Sequence, residues 1–263
     1  MIKNFAINAR LDYVGDEAET IKLLAQNGVG EVFLWWGSKD LEKNIQKVKN
    51  CNDAKIKIQT AHLDYKKINN IWKRCLCGHF LVKDYIKQIK LLAKYNIPVA
   101  ILHVSCGKTP PKYNKTGLNR FRKIVAAAEK AGVVVALENT RFNDYLAYVY
   151  DNIKSPNLKI CYDCGHDHAF VKDTFDFDKY KGDIVALHIH DNDGTKDQHK
   201  LPFDGDIDYK TVLTKIKKSG YKGPITFETH INREYYPKTT EQEFIQEAID
   251  RFNKLNEIYK KIK

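Results

Sequence analysis

The sequence predicts an α/β fold, a single-domain (β/α)8 TIM barrel spanning residues 1–263. Three observations carry this. Short apolar runs alternate with amphipathic helical stretches, which implies parallel strands. Eight such runs occur in 263 residues, the count and size of a closed barrel. A composition of 43% hydrophobic and 29% charged residues suits one large core. A doubly wound open sheet usually has fewer strands and often an early glycine-rich phosphate turn, and no G-x-G-x-x-G occurs here.

The first run is FAIN (5–8), followed by the helical stretch AETIKLLAQNG. EVFLWW (31–36) reads as the second strand and DLEKNIQKVKN as its helix. Alternation within that strand turns one of Trp35 and Trp36 inward, as an apolar wall for a substrate, and the other outward against a helix. IKIQTA (56–61) is the third strand, and 62–80, with Cys75 and Cys77, is the largest irregular insertion. VKDYIKQIKLLAKY leads to VAILH (99–103), and LNRFRKIVAAAEKAG to VVVAL (133–137). LKICY (158–162), IVALHI (184–189) and ITFE (225–228) complete the eight, with YKTVLTKIKKSG before the last. Several helical stretches end in Gly or Asn, residues suited to a helix C-terminus.

The net charge of +11 raises the question of nucleic acid. Only seven of the 44 basic residues are arginine, however, and the lysines recur along helical stretches as solvated faces do. No stretch approaches the roughly 18–20 apolar residues of a membrane span, and the N-terminus lacks the apolar block of a signal peptide. The expectation is a cytoplasmic protein with no membrane partner. Free thiols fit that compartment, and Cys161-x-x-Cys164 has no second such pair to complete a four-sulfur zinc cage.

Chemistry in barrels of this kind gathers at the carboxyl ends of the strands. His62 follows the third strand, His103 ends the fourth and Glu138 follows the fifth. Asp163 follows the sixth with His166 three residues on, His190 follows the seventh and Glu228 ends the eighth. Several carboxylates in one mouth raise one another's pKa unless a cation intervenes, and a divalent metal resolves that repulsion. The segment HIHDNDGTKDQH (188–199) adds Asp197 and His199. Imidazole and carboxylate together suit zinc, manganese, cobalt or non-haem iron.

The motifs LENT (137–140), YDCGH (162–166), HDND (190–193), DQH (197–199), LPFDGDID (201–208) and PITFET (224–229) resemble those of the xylose-isomerase-like TIM barrel superfamily. That superfamily contains sugar and sugar-phosphate isomerases and epimerases and the endonuclease IV type of apurinic-site nuclease. The resemblance implies a divalent metal held by Glu138, Asp163, His190 and Glu228. It implies that Glu138 and Glu228 act as the acid/base pair, through a metal-bound enediolate, and that His166 binds sugar hydroxyls. His62, His103, Trp35 and Arg141 join the expected substrate-binding residues, and Asp197 and His199 offer a possible additional metal site. The expected partner is a small-molecule sugar or sugar phosphate.

The alternative is an endonuclease IV-like phosphodiesterase acting on DNA at abasic sites. Its three-zinc cluster has nine ligands, and this chain offers a counterpart for each: His62, His103, Glu138, Asp163, His166, His190, Asp197, His199 and Glu228. Against it, LENT continues as RFNDY where the nucleases are Gly-rich, and AINARLD replaces their Gly-x-His-x-Ser signature.

Other residues have structural roles by expectation. His188 shares the parity of His190 and lies one pleat deeper, lining the barrel floor. Asp191 and Asp193 shape the turn or orient an imidazole. His230 and Arg233 lie at the rim, Lys108 lacks P-loop spacing, and His79 and His168 have no evident partner.

Overall fold

The computed structural model describes residues 2–12, 15–37 and 39–262. Eight parallel strands alternate with helices. They are β1 (Ile2–Asn8), β2 (Val29–Trp36), β3 (Lys57–Leu63), β4 (Val99–His103), β5 (Val134–Glu138), β6 (Leu158–Asp163), β7 (Ile184–His188) and β8 (Ile225–Phe227). Each pairs with its chain neighbours in the order β7-β6-β5-β4-β3-β2-β1-β8. Closure between β7 and β8 comes from Ile189, whose N–H donates to Thr226 O at 2.8 Å and whose carbonyl accepts from Glu228 N at 3.1 Å. The expected single-domain (β/α)8 barrel is the fold.

The helices are α1 (Glu17–Gln26), α2 (Leu41–Asp53), α3 (Leu76–Lys94), α4 (Lys115–Ala131), α5 (Asn143–Asn152), the short α6 (Cys164–His166), α7 (Tyr209–Lys218) and α8 (Glu241–Lys261). Side chains of Asp16, Asp40, Asn114, Asp208 and Thr240 accept N–H groups that α1, α2, α4, α7 and α8 leave unpaired at their first turns. The sequence pattern did not single out α5, because NDYLAYVYDN has no sustained apolar stripe; it docks through Tyr145, Leu146 and Val149. No helix among the described residues is long and apolar enough to cross a membrane.

The segment 62–80 is more ordered than its composition suggested. β3 runs through Leu63, and a 3-10 turn at Ile68–Ile71 buries both isoleucines. Trp72 then donates its indole N–H to Val104 O at 2.8 Å. Gly117 on α4 makes room for that ring, since a Cβ there would sit 2.0 Å from Trp72 Cε3. Arg120 ties the turn to α4 through the carbonyls of Ile71 and Cys75, each at 2.8 Å. Cys75 and Cys77 are joined as a disulfide, which corrects the expectation that all thiols are free. Cys51, Cys106, Cys161 and Cys164 are free.

Strand parity sets what faces the barrel axis. Ile101, Ala136, Cys161 and Ala186 form a small apolar cluster. Two residues further along the same faces come His103, Glu138, Asp163 and His188. An apolar layer of mostly small side chains thus underlies a layer of ligand-type groups, and its closed sheet keeps water from entering beneath them.

Candidate metal centre

The polar layer is deeply buried: Glu138 and Asp163 are 0% exposed and Glu228 2%. Glu138 lies at its middle. Its Oε2 is 2.9 Å from both His62 Nε2 and His103 Nε2, and its Oε1 is 2.7 Å from His188 Nδ1. The same His188 Nδ1 is 3.1 Å from Glu228 Oε2 and 3.9 Å from Asp163 Oδ2. Ligand atoms of Glu138, Asp163, His188 and Glu228 all lie within 4.8 Å of one another, as do those of the triad His62, His103 and Glu138.

His190 sits one pleat above His188. Its Nε2 lies 3.1 Å from Asp163 Oδ1, and it shares a further cluster with His199 and Glu228. Its buried Nδ1 has no hydrogen-bond partner among the described residues. Asp197 reaches in from the following loop, with Oδ2 3.0 Å from His199 Nε2 and 3.3 Å from His166 Nε2. His199 holds a left-handed backbone, φ 48°, and its Nδ1 contacts Glu228 O at 2.8 Å. Non-glycine residues adopt that region mainly where local structure demands it.

The electrostatics follow from this packing. Burial pushes the Glu138 carboxyl up, but His188, His103 and His62 outweigh it and hold it well below the usual range. For Glu228 burial likewise acts upward and His188 reverses it. Burial disfavours the His188 cation, yet Cys161, Glu228 and Glu138 raise its pKa well above normal. His199 is raised to about 10 by Asp197 against its burial. His166 is raised by Asp163 and Asp197, again against burial. His103 is lowered, with burial the dominant cause.

Buried carboxylates that depend on protonated imidazoles for balance are the donor set that a divalent cation stabilises, releasing those protons. The unpartnered His190 nitrogen and the 4.8 Å convergence fit such an ion. Which residues bind it is taken up below.

Supporting residues fix this layer. Asn139 Oδ1 accepts Asp163 N–H at 2.7 Å, and Asn139 Nδ2 donates to Asp163 O at 2.8 Å. Asp191 accepts backbone N–H groups of Asn192, Phe203 and Ile207, so it shapes the turn rather than touching a metal ligand. Asp193 accepts from Thr195 and Gln198 in the same loop. Gly165 allows His190 to approach, since a Cβ there would lie 1.9 Å from His190 Cε1.

Trp35 faces inward, its ring 4.5 Å from that of His62, while Trp36 is buried on the opposite face of the strand. The Arg141 guanidinium lies 3.8 Å over Phe170, whose ring stacks on His166 at 5.4 Å. His230 is 6.1 Å from Trp35, and Arg233 pairs with Asp12. Lys108 is exposed, His79 is exposed beside Phe80, and His168 meets Asp173 at 3.0 Å. Sequence reasoning missed Tyr65, which stacks on His103 at 4.1 Å, and the contact of His188 with both glutamates. The parity of His188 signals the second; nothing local signals the first.

Comparison with known proteins gives relatives in sequence and in fold. The chain is 36% identical over 176 residues to the uncharacterized protein y4fM of Sinorhizobium fredii, covering 62% of this chain and 55% of that protein. It is 30% identical over 142 residues to the uncharacterized protein MJ1311 of Methanocaldococcus jannaschii, covering 50% and 47%. The chain thus spans about half the length of these curated relatives. A D-psicose 3-epimerase from Clostridium cellulolyticum H10, solved with D-tagatose, superposes with a TM-score of 0.80 at 14% identity, covering 97% of this chain and 99% of that one. An L-ribulose 3-epimerase superposes at 0.78 and 14% identity, covering 99% and 96%. At these identities the structural likeness speaks for the fold. The family model described as xylose isomerase-like TIM barrel matches residues 21–255. The chain therefore belongs to the xylose isomerase-like TIM barrel family.

Proposed function

We propose that this protein is a divalent-metal-dependent isomerase or epimerase of a sugar or sugar phosphate. The observation that carries the reading is the convergence of Glu138 and Glu228, with Asp163, at a buried barrel mouth. The ketose 3-epimerases with which the fold superposes supply the substrate class. In this reading Glu138, Asp163, His190 and Glu228 hold Zn, Mn or Co, and His188 lies close enough to share in the set. When bound, a divalent cation polarises neighbouring carbonyl and hydroxyl oxygens of a sugar and acidifies the carbon-bound proton between them.

The chain's own residues do the rest. One glutamate accepts the carbon-bound proton and the other returns one, in a water-poor site that keeps solvent from competing for it. His62 and His103 hold Glu138 Oε2, fixing which oxygen faces the substrate. His166 and Trp35 line the mouth for hydroxyls and the sugar's apolar face, and Arg141 is placed for an anionic group. A cytoplasmic location belongs to the same reading, and fractionation of cells producing the protein checks it.

A specific observation favours a second reading. Two further groups, His62–His103–Glu138 and His166–Asp197–His199, flank the central one. Three ions so placed suit phosphodiester hydrolysis, as in the endonuclease IV type. Elemental analysis separates the two. One ion per chain, with deuterium entering a ketose from D2O, supports sugar chemistry. Three zinc ions with salt-sensitive binding and cleavage of an abasic-site duplex overturn it.

A further inference from the structure

The disulfide between Cys75 and Cys77 differs from the other cysteines in its surroundings. Both of its residues are exposed, whereas Cys51, Cys161 and Cys164 are buried and Cys106 is half-buried. It joins residues with a sequence separation of only 2. Stabilisation by a cross-link grows with the length of chain it closes, so this one contributes little to the fold. The turn is held by other means. Arg120 binds the carbonyls of Ile71 and Cys75, and Asn114 Nδ2 donates to Trp72 O at 2.8 Å. In the cytoplasmic location proposed above, thiols are kept reduced, and the disulfides that do form there are usually transient and catalytic or redox-sensing. An exposed disulfide that the fold does not need is of that exchangeable kind.

The local chemistry favours exchange. Cys75 is the N-cap of α3 and Cys77 lies in its first turn. The Cys75 side chain makes no cap hydrogen bond, the first turn has no acidic residue, and Lys73 and Arg74 precede it in the sequence. Unpaired N–H groups at a helix N-terminus and neighbouring cations stabilise a thiolate, which then leaves more readily. Cys77 also lines a cavity of about 420 Å3. That volume is within the range of small-molecule sites, about 300–1,000 Å3. Phe80, 62% exposed, gives the cavity an apolar wall, Lys39 and Lys67 supply cations, and Asp64 and Asp84 supply carboxylates.

We propose that Cys75 and Cys77 form a dithiol–disulfide exchange site for a small peptidic thiol bearing both carboxylate and ammonium groups, of the glutathione class. Its carboxylates lie against Lys39 and Lys67 and its ammonium group against Asp64 and Asp84. Its thiolate attacks Cys77 Sγ. The new sulfur–sulfur bond forms as the bond to Cys75 breaks, and the electron pair leaves on Cys75 Sγ. A second thiolate attacks the outer sulfur of the mixed disulfide and releases Cys77 Sγ with its electron pair. The protein thereby gains two electrons and two protons, and the two thiols leave as one disulfide. The reaction is independent of the sugar reading and of the metal centre.

The test uses the whole protein, equilibrated in glutathione buffers of increasing reduced-to-oxidised ratio, quenched with acid and alkylated in denaturant. Mass spectrometry then reads the peptide carrying both cysteines. Reversible passage from an unlabelled to a doubly alkylated peptide within that range is the expected result. A peptide that stays unlabelled in the most reducing buffer, or alkylated in the most oxidising one, overturns the exchange site. Rates of reduction test the cavity. With Lys39→Glu and Lys67→Glu combined, reduction by glutathione is expected to slow about tenfold, the size of a lost contact to a charged group. Reduction by mercaptoethanol, which has no carboxylate or ammonium group, is expected to keep the parental rate. Equal slowing with both reagents, or with neither, overturns the assigned thiol class. Cys75→Ser given oxidised glutathione is expected to accumulate the mixed disulfide at Cys77, and no adduct there overturns the order of attack.

Discussion

His188 Nδ1 lies 2.7 Å from Glu138 Oε1, at the floor of the buried carboxylate layer. Because the same nitrogen is 3.1 Å from Glu228 Oε2, one imidazole links the two glutamates assigned to proton transfer. Replacing it leaves buried carboxylates with less compensation, a change that typically costs about 3–5 kcal/mol. His188→Ala is expected to unfold at markedly lower denaturant concentration without metal and to recover most of the loss when metal is added. Equal midpoints for parent and variant would remove this role.

Glu228→Gln keeps the shape of the side chain and removes its basicity. Turnover is expected to fall by at least ~100-fold, the size of a lost positioned acid/base, while circular dichroism remains that of the parent. A variant that still exchanges substrate protons at the parental rate would falsify the assignment.

Gly165→Ala places a methyl group 1.9 Å from His190 Cε1, a separation no atoms tolerate. Either the imidazole or the turn at Gly165 must shift, which disturbs the 3.1 Å contact of His190 Nε2 with Asp163 Oδ1. Metal content per chain, measured after dialysis, is expected to drop in this variant while the barrel still folds.

Asp197→Ala with His199→Ala tests the outer group. If the central site acts alone, ion stoichiometry is unchanged. Loss of an ion on the double substitution assigns a second site to His166, Asp197 and His199. Loading that site must displace the proton that Asp197 holds on His199, raised to about 10. Affinity there is therefore expected to weaken as pH falls below that value.

Far from the site, Tyr150 donates to Asp183, which also pairs with Lys159. Burial, and then this hydrogen bond, raises the Tyr150 phenol to about 12. An unfolded phenol ionises near ~10, so between these values the folded chain keeps a proton that the unfolded chain has lost. Stability contributed by this group therefore falls as pH rises through that window. Tyr150→Phe is expected to show a shallower loss of stability between pH 10 and 12 in urea titrations.

Much of this protein is determined by its sequence alone. The eight strands are local: runs such as VAILH and LKICY need only apolar character and flanking breaks to declare themselves, and each appears in the barrel within a few residues. Parity is local too, so the inward placement of His103, Glu138 and Asp163, and the outward turn of Trp36 beside Trp35, follow from a period of two. The stretch NDYLAYVYDN (143–152) escaped because its helix depends on docking rather than on an apolar stripe. The order within 62–80 escaped because Arg120 and the gap at Gly117, from a distant helix, create it.

What only the tertiary structure decided is which ligand-type residues meet. His62, His103 and Glu138 come from three strands, and their 2.9 Å contacts depend on the stagger between strands and the closure of the sheet at Ile189 and Thr226. The same closure puts His188, rather than His190, between the two glutamates. Sequence periodicity reports the direction of a side chain from its own strand. The distance between side chains on different strands is a property of the closed barrel.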